Sequence, residues 1–177
     1  AMTRKRNKFS NTAMTRKEFF NAAMNGNDVA VTLGCELGMV NDVDKYGSTA
    51  AIIVLSNWNN PDRRLKILKI LVSYGANLNI VDRWDKTALM NACYYHGDRS
   101  DIVKFLIDNG ANPAISTTTG TAAHYCVIKC YITSLVLVAV DEVLDVKDHH
   151  DNTPMDWAVL WKIQPCVDFL NSAYIWR

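Results

Sequence analysis

Apolar residues come in short bursts of two kinds, and the bursts alternate along the chain. The clearest pair begins at Thr87. Ala88, Leu89, Met90, Ala92 and Cys93 follow within two helical turns, and Thr87 sits where a helix start favours a hydroxyl cap. A polar break spans 96–99. Ile102, Val103, Phe105, Leu106 and Ile107 then show the spacing of a mostly buried helix, which Gly110 ends as glycine past a helix terminus does. Asp82 and Asp85, just upstream, mark a tight turn. The unit reads turn, helix, loop, helix.

The same frame recurs. Asp44-Lys-Tyr-Gly-Ser-Thr49, Asp82-Arg-Trp-Asp-Lys-Thr87, Ser116-Thr-Thr-Thr-Gly-Thr121 and Asp148-His-His-Asp-Asn-Thr153 set threonines 38, 34 and 32 residues apart. Leu65–Asn79 and Ile102–Asn112 repeat the second burst, each with Gly-Ala-Asn near its end, and shorter versions occur at Ser134–Val140 and Cys166–Leu170. A lone helix pair cannot bury both of its faces, so such units must stack. The expected fold is an all-α solenoid of helix-turn-helix units with short β-turn tips. Residues 1–14 are expected to form a basic flexible arm. The repeat domain is expected over 15–177, with units at about 15–43, 44–81, 82–115, 116–147 and 148–177. Leu89, Ala92, Ile102, Val103, Leu106, His124, Leu135 and Leu170 are the candidate core.

Composition narrows the class. With 49% apolar and 21% charged residues, the chain has the balance of a globular protein rather than a disordered one. The net charge of +1 hides an asymmetry: residues 1–17 hold six bases and no acid, and the remainder is net acidic. The start lacks the apolar stretch of a secretory signal, and the most apolar run, Leu135–Val140, is far shorter than a membrane helix needs. Five cysteines, an odd number with no CxxC pair, point to reduced thiols. The expected compartment is the cytoplasm, with the nucleus open because Arg4-Lys5-Arg6 resembles a short import signal.

Candidate chemistry is thin. His124, Cys126 and Cys130 lie close in sequence, and Cys126 and Cys130 share a helical spacing. Zinc needs four suitable ligands, and His124 and Cys126 fall on core positions, so burial is the expected role. His149 and His150, with Asp151, are expected to point apart as adjacent tip residues, which disfavours a metal. No phosphate loop, nucleophile elbow or carboxylate pair appears. No catalytic residue, metal or cofactor is expected.

Thr153-Pro154-Met155-Asp156-Trp157-Ala158, Thr87-Ala88-Leu89-Met90-Asn91-Ala92 and the two Gly-Ala-Asn segments resemble the ankyrin repeat, a unit of about 33 residues. Residues 15–43 look like a divergent first repeat. Against the family pattern, the second repeat carries extra residues near Trp58–Asp62 and the third near 96–98. The fourth has Asp141–Asp145 in place of its closing glycine. The resemblance implies that His124 bonds backbone between repeats. It also implies that partners are gripped by turn tips and by the exposed side of each first helix. Carried over, the tips are Lys45, Tyr46 and Ser48; Arg83, Trp84 and Lys86; Thr117, Thr118 and Gly120; His149, His150 and Asn152. The first-helix positions are Ser56 and Asn57, Tyr94 and Tyr95, Ile128 and Lys129, and Leu160 and Trp161.

These slots need no apolar residue for folding, yet they hold Tyr46, Trp84, Tyr94, Tyr95 and Trp161, the ring types that dominate binding hot spots. Lys45, Arg83 and Lys86 add positive charge beside them. The expected function is therefore a protein-protein interaction module: an adaptor, inhibitor, scaffold, or pathogen or viral effector. Its partner is expected to be another protein with an acidic and apolar surface, rather than nucleic acid or a membrane. The alternative is a reader of histone tails or methylated-lysine peptides, with Trp84, Tyr94, Tyr95 and Trp161 as an aromatic cage. That reading requires rings converging within several ångströms beside an acid. The Trp58–Asp62 insertion is a further candidate contact.

Overall fold

The computed structural model describes residues 14–56, 61–95 and 97–175, with backbone alone at 61–62. The basic arm up to residue 13, the first-helix candidate Asn57 and residues 58–60 of the Trp58–Asp62 insertion lie outside the described residues.

Among the described residues, five helix pairs follow one another. They are α1 (Arg16–Asn25) with α2 (Asp28–Glu36), α3 (Ala50–Ser56) with α4 (Pro61–Ser73), and α5 (Ala88–Tyr95) with α6 (Ser100–Asp108). α7 (Ala122–Lys129) pairs with α8 (Ile132–Val138). The short α9 (Asp141–Leu144) comes before the last pair, α10 (Pro154–Leu160) with α11 (Gln164–Ile175). First helices stack in the order α1, α3, α5, α7, α10, while α2 packs on α4 and α6 on α8. Two isolated bridges, Val43 with Thr49 and Thr117 with Gly120, are the extended pairing among the described residues.

Local chemistry explains the starts and stops. Thr15 with Glu18 and Thr153 with Asp156 form reciprocal capping boxes, each satisfying two N–H groups at a helix start. Three tips share one device. Asp44 Oδ1 accepts from Tyr46 N at 2.8 Å and Ser48 N at 2.9 Å. Asp82 Oδ1 does the same for Trp84 N and Lys86 N, and Asp148 Oδ1 for His150 N and Asn152 N. Successive tips are joined as well. Arg83 N donates to Tyr46 O at 2.9 Å, Thr118 N to Asp85 Oδ2 at 2.6 Å, and His149 N to Thr118 O at 3.1 Å.

Asparagines tie the first three pairs at their far ends. Asn41 donates to Gly75 O and accepts from Asn77 N; Asn79 donates to Gly110 O and accepts from Asn112 N at 2.8 Å. The fourth pair lacks the Gly-Ala-Asn segment. There α9 takes its place, burying Val143 and Leu144. Asp98 helps hold that pair by accepting from Thr133 N and Ser134 N at 2.8 Å each.

All eight candidate core residues are buried. Gly34, where the third pair has Leu106, is required because a Cβ there would overlap the Phe19 ring, which fills the first pair instead. His124 is fully buried; its Nδ1 faces Thr121 N at 3.0 Å and its Nε2 lies 3.1 Å from Asn152 O. Because Thr121 N–H can only donate, Nδ1 accepts and Nε2 carries the proton. The ring thus links the fourth pair to the fifth tip. Gly120 leaves room for it, since a Cβ there would lie 2.7 Å from the imidazole.

Candidate functional site

The stack of first helices puts equivalent positions side by side. Four residues past each capping threonine stand Ile53, Asn91, Tyr125 and Trp157; seven past stand Ser56, Tyr94, Ile128 and Leu160; eight past stand Tyr95, Lys129 and Trp161 in the last three units. The expected contact residues fall on these rows and on the tips, but in separate groups.

The first group is at the tips. Tyr46 and Trp84 stand on adjacent turns with ring centroids 5.1 Å apart, and Trp84 is 57% exposed. The Lys45 ammonium lies 4.7 Å from the Tyr46 centroid, and Arg83 is exposed beside it. Two rings held as a pair, both reachable from solvent, give a firm apolar anchor with cations at its edge. Close by, Arg16, Lys17, Phe20, Met24, Val43, Lys45, Tyr46 and Ile53 line a broad open cleft of about 590 Å³.

The second group lies on the first-helix rows. Tyr94 meets Tyr95 edge-on at 4.7 Å and Tyr125 edge-on at 5.8 Å. Lys86 reaches over all three rings, at 4.3, 5.3 and 5.1 Å from the centroids of Tyr94, Tyr95 and Tyr125. This corrects two expectations. Tyr94 and Tyr95 do not simply leave their repeat; both are half-buried, and Tyr94 packs on the core. Lys86, expected to add positive charge beside the rings, is a half-buried cation, and desolvation pushes its pKa below the ordinary lysine value.

The methyl-lysine cage is not assembled either. Trp84 stacks on Tyr46, the tyrosines already surround the chain's own Lys86, and Trp161 stands 66% exposed at the end of α10. Reading the sequence by tips and by the last turn of each first helix overlooked Tyr125. Its signal was present: it follows Thr121 by the same interval as Asn91 follows Thr87.

The third group is His149 and His150. Their rings lie side by side, 3.7 Å between centroids, rather than pointing apart, and His149 Nδ1 is 2.5 Å from Thr118 O. Among the described residues no group of three or more His, Cys, Asp or Glu is placed to hold a metal. Cys126 is buried, whereas Cys130 is exposed at the end of α7 in a left-handed conformation, so the two do not share a face. Among the described residues no helix is long and apolar enough to cross a membrane.

Stacked helix pairs, hydrogen-bonded tips and a row of first helices define a repeat solenoid. A family model for ankyrin repeats, in three copies, matches residues 19–117, more than half of the chain, and the chain belongs to the ankyrin-repeat family. It is similar to the Fowlpox virus (strain NVSL) "Putative ankyrin repeat protein FPV222", 36% identical over 74 residues. That match covers 40% of this chain and 10% of the relative. It is also similar to the Acanthamoeba polyphaga mimivirus "Putative ankyrin repeat protein R664", 30% identical over 88 residues, covering 49% of this chain and 50% of the relative. The matched stretch therefore spans half or less of the length of either protein. Ankyrin repeats are in general protein-protein interaction modules, built on a non-catalytic fold.

Proposed function

We propose that this chain binds a partner protein through its tips and the adjoining row of first helices, and carries no chemistry of its own. The observation that carries this reading is the exposed Tyr46–Trp84 pair with Lys45 and Arg83 beside it. Neither ring belongs to the buried core, and two adjacent aromatics with cations at the edge fit an apolar anchor on the partner flanked by acids. His149, His150 and Trp161 extend the same surface toward the last unit. We take residues 15–177 as one five-unit binding domain, acting as an adaptor, an inhibitor or, as viral relatives suggest, an effector, in the cytoplasm or nucleus.

Affinity capture with wild type, Trp84→Ala, Tyr46→Ala and Lys104→Ala tests this. Lys104 is exposed on α6, paired with Asp108 at 3.0 Å, and serves as the control. Proteins held by wild type and Lys104→Ala should be lost from both ring variants. Loss from Lys104→Ala, with the ring variants unaffected, would move the site to the opposite side.

A further inference from the structure

Tyr94 carries two ammonium groups. Lys86 approaches from the tip before α5, 4.3 Å from the ring centroid; Lys129 approaches from the last turn of α7, in the next unit, at 4.1 Å. One cation on a ring is attractive packing. A second works against the first: desolvation lowers the Lys86 pKa, the Asp82 carboxylate offsets part of that, and the charge of Lys129 lowers it to a smaller degree. Among the described residues neither lysine has an ion-pair partner. The acids of the same tip are engaged elsewhere. Asp82 Oδ1 holds two turn N–H groups, and Asp85 Oδ2 accepts from Thr118. The arrangement has two positive charges and an aromatic floor, and its nearby acid, Asp82, is already committed to the turn.

We propose that Lys86 and Lys129 form a carboxylate seat on the Tyr94 ring, which takes an aspartate or glutamate side chain of the bound partner. This rests on the groove reading above and names the chemistry at its centre. A carboxylate has two oxygens, so a single side chain can accept a hydrogen bond from each ammonium. A phosphate fits less well. Such groups are typically held by arginine forks or by backbone N–H groups at long helix starts, and the ring–cation cluster consists of two lysines and three tyrosines. Next to the seat, Ser56, Trp84, Lys86, Asn91 and Tyr95 line a cavity of about 210 Å³. Its polar floor is already satisfied: Ser56 Oγ lies 2.8 Å from Ile52 O and 3.2 Å from Asn91 Oδ1, and Asn91 Nδ2 donates to Thr87 O at 2.9 Å. An apolar side chain beside the acid fits there.

The test is a nuclear magnetic resonance titration of the full chain, watching the lysine side-chain methylene signals. The probes are the capped dipeptides acetyl-Glu-Leu-amide, acetyl-Gln-Leu-amide and acetyl-phosphoserine-Leu-amide. Signals removed by Lys86→Gln and by Lys129→Gln identify the two lysines. The glutamate probe should shift both saturably, the glutamine probe neither, and each variant should weaken binding by about two- to fivefold, as for a partly exposed ion pair. If Lys86→Gln fails to fold, Lys129→Gln, at the exposed helix end, decides alone. Shifts spread evenly over Lys45 and Lys104 would overturn the seat, as would equal binding of the glutamine probe. Phosphoserine binding more than about tenfold tighter would reassign it to phosphate. If the glutamate probe binds as expected while the Trp84→Ala capture is unchanged, the seat stands and the groove reading falls. If the capture depends on Trp84 but the probe ignores both lysines, the groove reading stands without the seat.

Discussion

At the scale of single residues, His124 ties a core position to pH. Its Nδ1 accepts from Thr121 N, so protonation there would set two donors against each other inside the protein. Burial lowers its pKa, which means the unfolded chain binds this proton more readily than the folded one. The stability it confers is complete above the unfolded value, about 6.5. It is lost as pH falls from there through the lower folded value. Thermal melts of wild type should hold steady from about pH 8 to 7 and decline below about 6.5. His124→Asn should start lower and follow a flatter course through that window. A wild-type curve no steeper than the variant's would refute the assignment. Leu106 is simpler: it is fully buried, and Leu106→Ala should cost about 2–5 kcal/mol in urea unfolding. Core positions such as these were legible because the period of apolar residues reports burial directly. The setting of Lys86 was not. Its partner Tyr125 lies in the next unit, 39 residues on, and a reading taken unit by unit sees an exposed lysine beside a turn.

Among the elements, the asparagine bridges separate structural strength from sequence likeness. Asn112 closes a Gly-Ala-Asn segment, and Asn79 stands two residues past the matching segment of the unit before. Asn79 bonds both Gly110 O and Asn112 N in the next unit, whereas Asn112 Oδ1 accepts from Ala114 N within its own turn. Asn79→Ala should therefore destabilise by roughly 1–3 kcal/mol, the net worth of two hydrogen bonds between units. Asn112→Ala should lose about 1 kcal/mol or less. Equal urea midpoints for the two variants would show that the bridge carries no special weight. The turn chemistry of Asp44, Asp82 and Asp148 was visible in the sequence because aspartate bonds its own turn wherever it stands. Helix α9 was not, since Asp141–Asp145 read as a polar substitute for a missing glycine. Val143 and Leu144 turn that stretch inward.

Across the whole molecule, cohesion falls toward the last unit. Six residues past the capping threonine, Leu55, Cys93 and Val127 are fully buried, but Val159 is 58% exposed. Leu160 and Trp161 are exposed too, at 67% and 66%. Regions with fewer buried apolar side chains open first. Amide hydrogen exchange should therefore be faster in α10 and α11 than in α5 and α6, by about tenfold or more for a local difference near 1.4 kcal/mol. Uniform protection along the chain would contradict this picture. The sequence foretold the stacking, because no single pair can hide its own apolar residues. It could not foretell which rings would meet, since Tyr46–Trp84 and Tyr94–Tyr125 are each formed between units.

The tips add a constraint of another kind. Each is fastened to the next, through Tyr46 O, Asp85 and Thr118. Neighbouring tips cannot slide or spread without breaking a bond, so they behave as the teeth of a comb rather than as separate fingers. A partner is measured against a fixed pitch. A protein with the right groups at the wrong interval engages one tooth and misses the others, and spacing becomes a means of selection alongside charge and shape.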